Sequence, residues 1–208
     1  MNLPRFDAAG RSAIERNLEG FVIAPLPAKD LKRAAVCLIV TDDGEGGAAL
    51  VLTLRTHGLR AHSGQFALPG GRMDAEEDAI DAARREAREE IGLGLSSESI
   101  LGCLDDYPTR SGYLITPVVA WAAENAAMHA NPAEVAKIYR VPLADLSRPG
   151  SPEFVSIPQS DRPVIRYPIL GTTVHAPTAA VLYQFMEVAI AGRNTRVAHL
   201  EQPAWAWR

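Results

Sequence analysis

Two apolar runs near the start of the chain restrict its fold more than any other feature. They are RAAVCLIV (33–40) and AALVLTLR (48–55), and the turn-forming stretch TDDGEGG separates them. Continuous apolar runs of this length are typical of buried strands. A short connection that contains Gly joins such strands as antiparallel neighbours. The sequence therefore predicts a β-hairpin here.

The rest of the chain alternates between strand and helix patterns. Three further segments have the apolar character and length of strands: 99–104, 113–123 and 133–143, the last of which ends at Pro142. Three segments have helical character, and they are 11–21, 74–91 and 178–190. Strands followed by a helix, and then again strands followed by a helix, indicate one mixed α/β sandwich.

Two segments carry weaker signals. The stretch 144–170 contains five Pro residues, so we expect it to be irregular apart from a short strand at 164–167. The final EQPAWAWR has no clear period, and we expect a loosely packed tail. We predict a single domain over 1–208, and its parts are an N-terminal helix and loop (1–32), a core (33–192) and a C-terminal tail (193–208).

Composition and charge exclude several classes of protein. A hydrophobic content of 47% and a charged content of 22% are ordinary for a globular protein, and a net charge of −4 does not favour nucleic acid as a partner. The uncharged stretch 167–186 is interrupted by Pro and Gly, so we do not expect it to span a membrane. Two isolated cysteines predict neither a zinc site nor a disulfide framework. With no signal peptide in the N-terminal residues, we expect a cytoplasmic location.

The helix at 74–91 concentrates negative charge. Asp74 suits its start, and Gly92 suits its end because Gly readily adopts the left-handed conformation that stops a helix. At about 100° per residue, Glu86, Glu89 and Glu90 fall on one face. With no cation expected within reach, these carboxylates would repel one another unless a cation lay between them. Carboxylate oxygens favour Mg²⁺ or Mn²⁺ over zinc, and the alternative is a solvated acidic patch.

The spacing of this segment resembles a known motif, the Nudix box. It has Gly71, five residues, Glu77, seven residues, Arg85-Glu86-Ala87, one residue, Glu89-Glu90, one residue, and Gly92-Leu93. The resemblance implies an α/β/α sandwich with a mixed β-sheet, in which the box forms a loop, a helix and a second loop. It also implies hydrolysis of a diphosphate linked to another moiety, with Mg²⁺ or Mn²⁺ as cofactor.

The resemblance also implies roles for individual residues. The metal ligands would be Glu86, Glu89, Glu90 and the carbonyl of Gly71, while Pro69-Gly70-Gly71 would form a turn close to the metal. Arg85 would orient Glu86, and Glu77 would hold the loop and helix together. Members of this family often place a further catalytic Glu after the box. Glu134 is our candidate for a general base, and Glu124 is the alternative; Glu86, Glu89, Arg85 and Glu134 are thus the predicted catalytic residues.

The segment before the box points to a substrate. VLTLRTHGLRAHSGQFALPGG (51–71) resembles the signature of the coenzyme A diphosphatases within the Nudix family. The matching residues are Leu52, Thr53, Arg55, Arg60, Gly64, Pro69, Gly70 and Gly71. Val51, Thr56 and Leu68 depart from the pattern. The residues that we expect to bind substrate are Arg55, Arg60, His62, Gly64 and Arg72, with His57 adding further positive charge.

Together these patterns predict an enzyme that acts on a small molecule. The resemblance implies hydrolysis of coenzyme A (CoA) or an acyl-CoA to 3′,5′-ADP and the matching 4′-phosphopantetheine. A hydrolase of ADP-ribose or of another nucleoside diphosphate derivative is the alternative, and a Nudix-fold ligand sensor without turnover is a second. We expect neither nucleic acid nor a membrane as a partner, and the sequence leaves a homodimer open.

Overall fold

A mixed eight-stranded sheet forms the centre of the protein in the computed structural model, which describes residues 3–27, 30–56 and 64–207. Its strands are β1 (Lys32–Asp42), β2 (Ala48–Arg55), β3 (Phe66–Ala67), β4 (Gly70–Arg72), β5 (Ile100–Cys103), β6 (Tyr107–Pro108), β7 (Tyr113–Trp121) and β8 (Val135–Pro142). The helices are α1 (Ala8–Glu19), α2 (Ala79–Ile91), α3 (Leu143–Leu146) and α4 (Thr178–Phe185), and α4 continues into a π-helical turn (Met186–Ile190).

Strand β1 connects the two halves of this sheet. It pairs antiparallel with β2 through Val40 and Leu50, which confirms the predicted hairpin. It also pairs antiparallel with β4 and parallel with β7. Strand β8 pairs with β2, and β5 and β6 pair with β7, all antiparallel. The sheet is therefore mixed, as predicted.

Side chains of β1 alternate between two hydrophobic cores, because successive residues of a strand point to opposite faces of the sheet. Leu38 and Val40 belong to the core that packs against α1 and α4. Cys37 and Ile39 belong to the second core, which lies under α2. Helices thus cover both faces, and the predicted α/β/α sandwich is confirmed.

A second, three-stranded sheet occupies the region that we expected to be irregular. Its strands are β9 (Glu153–Ile157), β10 (Ser160–Ile169) and β11 (Thr172–His175), and β10 is central. Pro163 lies where the pairing of β9 and β10 shifts register, and Pro168 lies beyond their last pair at Arg166. Neither Pro interrupts a regular β9–β10 ladder, so the prediction from Pro content was wrong.

Helix α2 begins later than the sequence suggested. Asp78 caps it by accepting a hydrogen bond of 2.9 Å from the Asp81 N–H, so Asp74 is not the cap. Asp74 instead donates its own N–H to Glu77 (3.0 Å) in a turn before the helix. The end at Gly92 is confirmed, and Gly92 has a φ of 66°.

The C-terminal segment is packed rather than loose. Glu201 and Gln202 are each only 2% exposed. Arg110 donates hydrogen bonds of 3.2 and 2.5 Å to Glu201, and its guanidinium lies 4.7 Å from the ring centre of Trp207. The anchor lies 91 residues away, where no local pattern could reveal it. Within the described residues, no helix has the length and hydrophobicity needed to cross a membrane.

Candidate functional site

Small side chains let helix α2 lie close to the sheet. Ala82, Ala83 and Ala87 form much of its buried face. The helix therefore brings Glu86 against Gly71 of β4, where an added Cβ would lie only 2.2 Å from Glu86 Oε1. Gly70 and Gly71 are paired with β1 in an extended strand, so the predicted turn at these residues is wrong. Close approach, rather than a turn, is what these glycines permit.

Arg85 binds three carboxylates at once. Its guanidinium donates bonds of 2.7 and 2.9 Å to Glu77 and of 3.0 Å to the Arg72 carbonyl. It also donates bonds of 2.7 Å to Glu86 and 3.1 Å to Glu89. The hydrogen bonds from Arg85 lower the pKa of Glu77 to about 2. The contact that the predicted orienting role requires, between Arg85 and Glu86, is therefore present.

Glu90 is the most buried of the box carboxylates, with 1% of the residue exposed. Its Oε1 lies 3.3 Å from Arg55 Nη1, while its Oε2 is buried and has no hydrogen-bond partner. Burial raises the pKa of Glu90 to about 7, although the positive charge of Arg55 acts to lower it. Burial also raises the pKa of Glu86. Our expectation that no cation would reach these carboxylates was wrong, because Arg55 comes from β2 and the Arg85 side chain reaches around the helix.

Glu134 lies near the same carboxylates. The Asn131 N–H donates a bond of 2.9 Å to the Glu90 carbonyl, and the Thr56 N–H donates one of 3.0 Å to the Glu134 carbonyl. These bonds hold the loop before β8 beside the end of α2. As a result, the charge of Glu134 raises the pKa of both Glu86 and Glu90. The alternative, Glu124, is exposed in the turn after β7.

A cavity of about 790 Å³ opens beside these groups, between the central sheet and the three-stranded sheet. We call the side formed by the start of the box and the segment before it the box side, and the residues that line it include Arg55, Gly64, Gly70, Gly71 and Arg72. We call the side formed by β11 and the C-terminal segment the far wall, and its residues include Thr172, Thr173, His175, Gln202 and Trp205.

Three of the predicted substrate residues therefore line one cavity: Arg55, Gly64 and Arg72. Arg60 and His62, together with His57, lie outside the described residues. The far wall was missed from the sequence, where His175 received no role and the segment of Trp205 was taken for a loose tail.

A profile of the NUDIX domain matches residues 31–161, which is more than half of the chain. The chain belongs to the Nudix family. An uncharacterized Nudix hydrolase NudL from Photorhabdus laumondii is 44% identical over 97 residues, which are 46% of this chain and 52% of the relative. Its counterpart from Citrobacter koseri is 38% identical over 120 residues, which are 57% of this chain and 62% of the relative. The alignments thus span about half to three fifths of these relatives.

A solved structure shares the Nudix fold. The MutT/nudix family protein from Enterococcus faecalis superimposes with a TM-score of 0.52 and 17% identity, over 88% of this chain and 74% of that one. At this level of identity the likeness shows the fold alone. Nudix hydrolases generally use divalent metals such as Mg²⁺ or Mn²⁺.

The Nudix box of this chain has the donors for such an ion. Within the described ranges, no three acidic, His or Cys side chains converge tightly enough to form a ready-made metal site. Glu86 and Glu89 instead pair with Arg85, and Glu90 pairs with Arg55. The buried Oε2 of Glu90 nevertheless lacks a partner, and buried polar atoms are normally satisfied. Carboxylate oxygens around this atom suit a hard divalent cation.

Proposed function

We propose that this protein hydrolyses the diphosphate bond of CoA or an acyl-CoA to 3′,5′-ADP and the matching 4′-phosphopantetheine. The observation that carries this proposal is that Glu90, beside Glu86, has a buried carboxylate oxygen without a hydrogen-bond partner. Gly71, which lies against Glu86, and Arg55, which pairs with Glu90, line a cavity whose box side also carries Arg72. Carboxylates for a metal and guanidinium groups for phosphate are what diphosphate hydrolysis requires.

The chain's own residues would divide the work as follows. Glu86, Glu89, Glu90 and the Gly71 carbonyl would hold Mg²⁺ or Mn²⁺, which when bound neutralises charge on the bridging oxygen and lowers the pKa of water. Glu134 would accept the proton of the attacking water at its carboxylate. Arg85 would keep Glu86 in place through the hydrogen bond of 2.7 Å.

Support for CoA comes from the segment before the box. CoA carries a diphosphate and a 3′-phosphate, and a chain with a net charge of −4 needs local positive charge to bind them. Arg55 and Arg72 supply it on the box side, and Arg60 and His62 are predicted to add to it. The cavity of about 790 Å³ lies within the usual size range of small-molecule sites.

Two alternatives differ from this proposal in testable ways. An ADP-ribose hydrolase would use the same box but would need no group for a 3′-phosphate. A ligand sensor would bind without turnover, but this chain retains Glu86, Glu89 and Glu90, so its box is complete.

The test is product analysis with a panel of diphosphates. The protein is incubated with CoA, acetyl-CoA and ADP-ribose in Mg²⁺, and the products are separated by chromatography. We expect 3′,5′-ADP to appear in step with the loss of CoA, and EDTA or Glu89→Gln to abolish it. Release of free phosphate, or cleavage of the thioester alone, would refute the mechanism. Faster turnover of ADP-ribose would refute the substrate, and binding without turnover would favour the sensor.

A further inference from the structure

The cavity is divided by charge. Arg55 and Arg72 are its fully charged members among the described residues, and both lie on the box side. The far wall presents Thr172 and Thr173 together with Gln202, all of which are uncharged and able to form hydrogen bonds. A bound molecule with its phosphates at the box side would therefore place a neutral group against the far wall.

His175 belongs to this neutral surface. Burial, followed by the charge of Arg166, lowers the pKa of His175. Both effects favour the neutral imidazole, which is already the main form of an ordinary His at pH 7. The aromatic ring of His175 forms part of the cavity lining.

Trp205 is the most exposed of the large aromatic side chains in the described part of the chain, with 54% of the residue accessible. Its ring packs against His175 with 5.3 Å between ring centres and 83° between planes. The segment that carries it is fixed, because Arg110 binds Glu201 and the Trp207 indole N–H donates a bond of 2.9 Å to the Gln202 carbonyl. Trp205 is thus an indole held at the rim of the cavity with much of its surface uncovered.

We propose that Trp205, supported by His175, is a stacking site for the purine ring of the substrate. A rigid indole and uncharged hydrogen-bonding groups match a purine, which has an aromatic face and ring nitrogens. A pantetheine arm is a flexible chain and gains less from a flat surface. This inference rests on the proposed function in one respect, since it requires that the substrate contains a nucleotide.

The placement also separates this site from the catalytic box. His175 and Trp205 both lie after residue 161, where the match to the NUDIX domain ends. The box supplies the chemistry, and the far wall supplies a contact to the part of the substrate that is not a phosphate. Trp205 is therefore a specificity-determining residue.

The test measures binding of a product, so that turnover does not enter. Titration calorimetry in Mg²⁺ compares 3′,5′-ADP, inorganic pyrophosphate and 4′-phosphopantetheine on the wild type, Trp205→Ala and Trp205→Phe. We expect Trp205→Ala to weaken 3′,5′-ADP about 10- to 100-fold, Trp205→Phe to weaken it only slightly, and pyrophosphate to bind all three equally. Phe154→Ala is the matched control, because Phe154 is a 49% exposed aromatic residue that lies in the same sheet as His175 but outside the cavity lining.

A second readout is intrinsic fluorescence. Trp121 is buried and stacked on Phe6, and Trp207 is covered by the Arg110 guanidinium. Most of the quenching of the wild type by 3′,5′-ADP should therefore come from Trp205, and Trp205→Phe should be quenched much less. Unchanged 3′,5′-ADP binding by Trp205→Ala, equal losses for pyrophosphate, or a larger loss for 4′-phosphopantetheine would each overturn the stacking site. So would a wild type that does not bind 3′,5′-ADP.

The two proposals can fail separately. If the wild type hydrolyses CoA, and Trp205→Ala binds 3′,5′-ADP as tightly as the wild type does, the stacking site alone is overturned. Binding of 3′,5′-ADP that depends on Trp205, in a protein that prefers ADP-ribose as its substrate, would overturn CoA as the substrate and support the stacking site.

Discussion

Adding one methyl group at Gly71 should strongly lower activity without unfolding the protein. The new Cβ would lie 2.2 Å from Glu86 Oε1, and ordinary contact begins at 3.4 Å, so the carboxylate must retreat by about 1.2 Å. The carboxylate is the end of a flexible side chain, and the φ of Gly71 is not positive, so the fold can absorb this change. A misplacement of about 1 Å in a catalytic group costs on the order of 100-fold in rate. We expect Gly71→Ala to lose at least that much kcat.

The neighbouring glycine gives a matched control with the opposite result. A Cβ on Gly70 would lie 2.4 Å from the Ala35 carbonyl oxygen and 2.7 Å from Val36 Cα. These are backbone atoms of the central strand and cannot retreat, so Gly70→Ala should cost about 1–3 kcal/mol. For a chain of this length that corresponds to a Tm lower by roughly 2–12 °C.

Both variants are measured by CoA hydrolysis and by thermal unfolding. Gly71→Ala should separate activity from stability, while Gly70→Ala should lower the Tm. Wild-type kcat in Gly71→Ala would show that contact with Glu86 has no catalytic consequence. A fall in Tm as large as that of Gly70→Ala would show that the clash is transmitted to the fold.

Three further predictions concern charged groups. Arg110 lowers the pKa of Glu201 to about 2. The stabilisation that this ion pair gives the folded state is therefore present above pH ~4.5 and is lost as the pH falls toward 2. Glu201→Gln should lower the Tm at pH 7, and thermal scans at several pH values should show the difference in Tm from the wild type shrink as the pH falls through this range. Arg85→Lys should lower kcat about 10- to 100-fold with little change in KM, because a single ammonium cannot bridge the same carboxylates; an unchanged kcat would exclude the role. Arg60→Ala should raise the KM for CoA more than for ADP-ribose, and equal effects on both would place Arg60 at the shared diphosphate.

Local patterns in the sequence predicted local structure well. The apolar runs of β1 and β2 and the turn-forming TDDGEGG between them are neighbours in the sequence. The hairpin could therefore be predicted without knowledge of distant contacts. Gly92 ends α2 for a similarly local reason, which is its left-handed backbone. The fixed spacing of the box also placed Glu86 and Glu90 on one side of the helix, next to each other.

Partners far apart in the chain could not be predicted. Arg55 reaches Glu90 across 35 positions, and without that contact the acidic face looked unpaired. The prediction that 144–170 is irregular failed because Pro content shows only that a residue lacks an N–H donor. Pro163 lies where the β9–β10 pairing shifts register, and Pro168 lies beyond the last β9–β10 pair. Gln202 and Trp205 of the far wall belong to a segment that Arg110 holds from 91 positions away. Such contacts are properties of the assembled fold.

The distribution of the cavity along the chain has a consequence for synthesis. All proposed box ligands and Glu134 precede residue 135, whereas Trp205 leaves the ribosome after all of them. A nascent chain could therefore complete its central sheet and still display a one-sided cleft, with the phosphate-binding half exposed and the ring-binding half unmade. The hydrogen bonds from Arg110 to Glu201 then fix the C-terminal segment, which adds Gln202 and Trp205 to the cavity lining. Before this ion pair forms, a newly made molecule would expose its carboxylates to any cation or nucleotide and would not select among them.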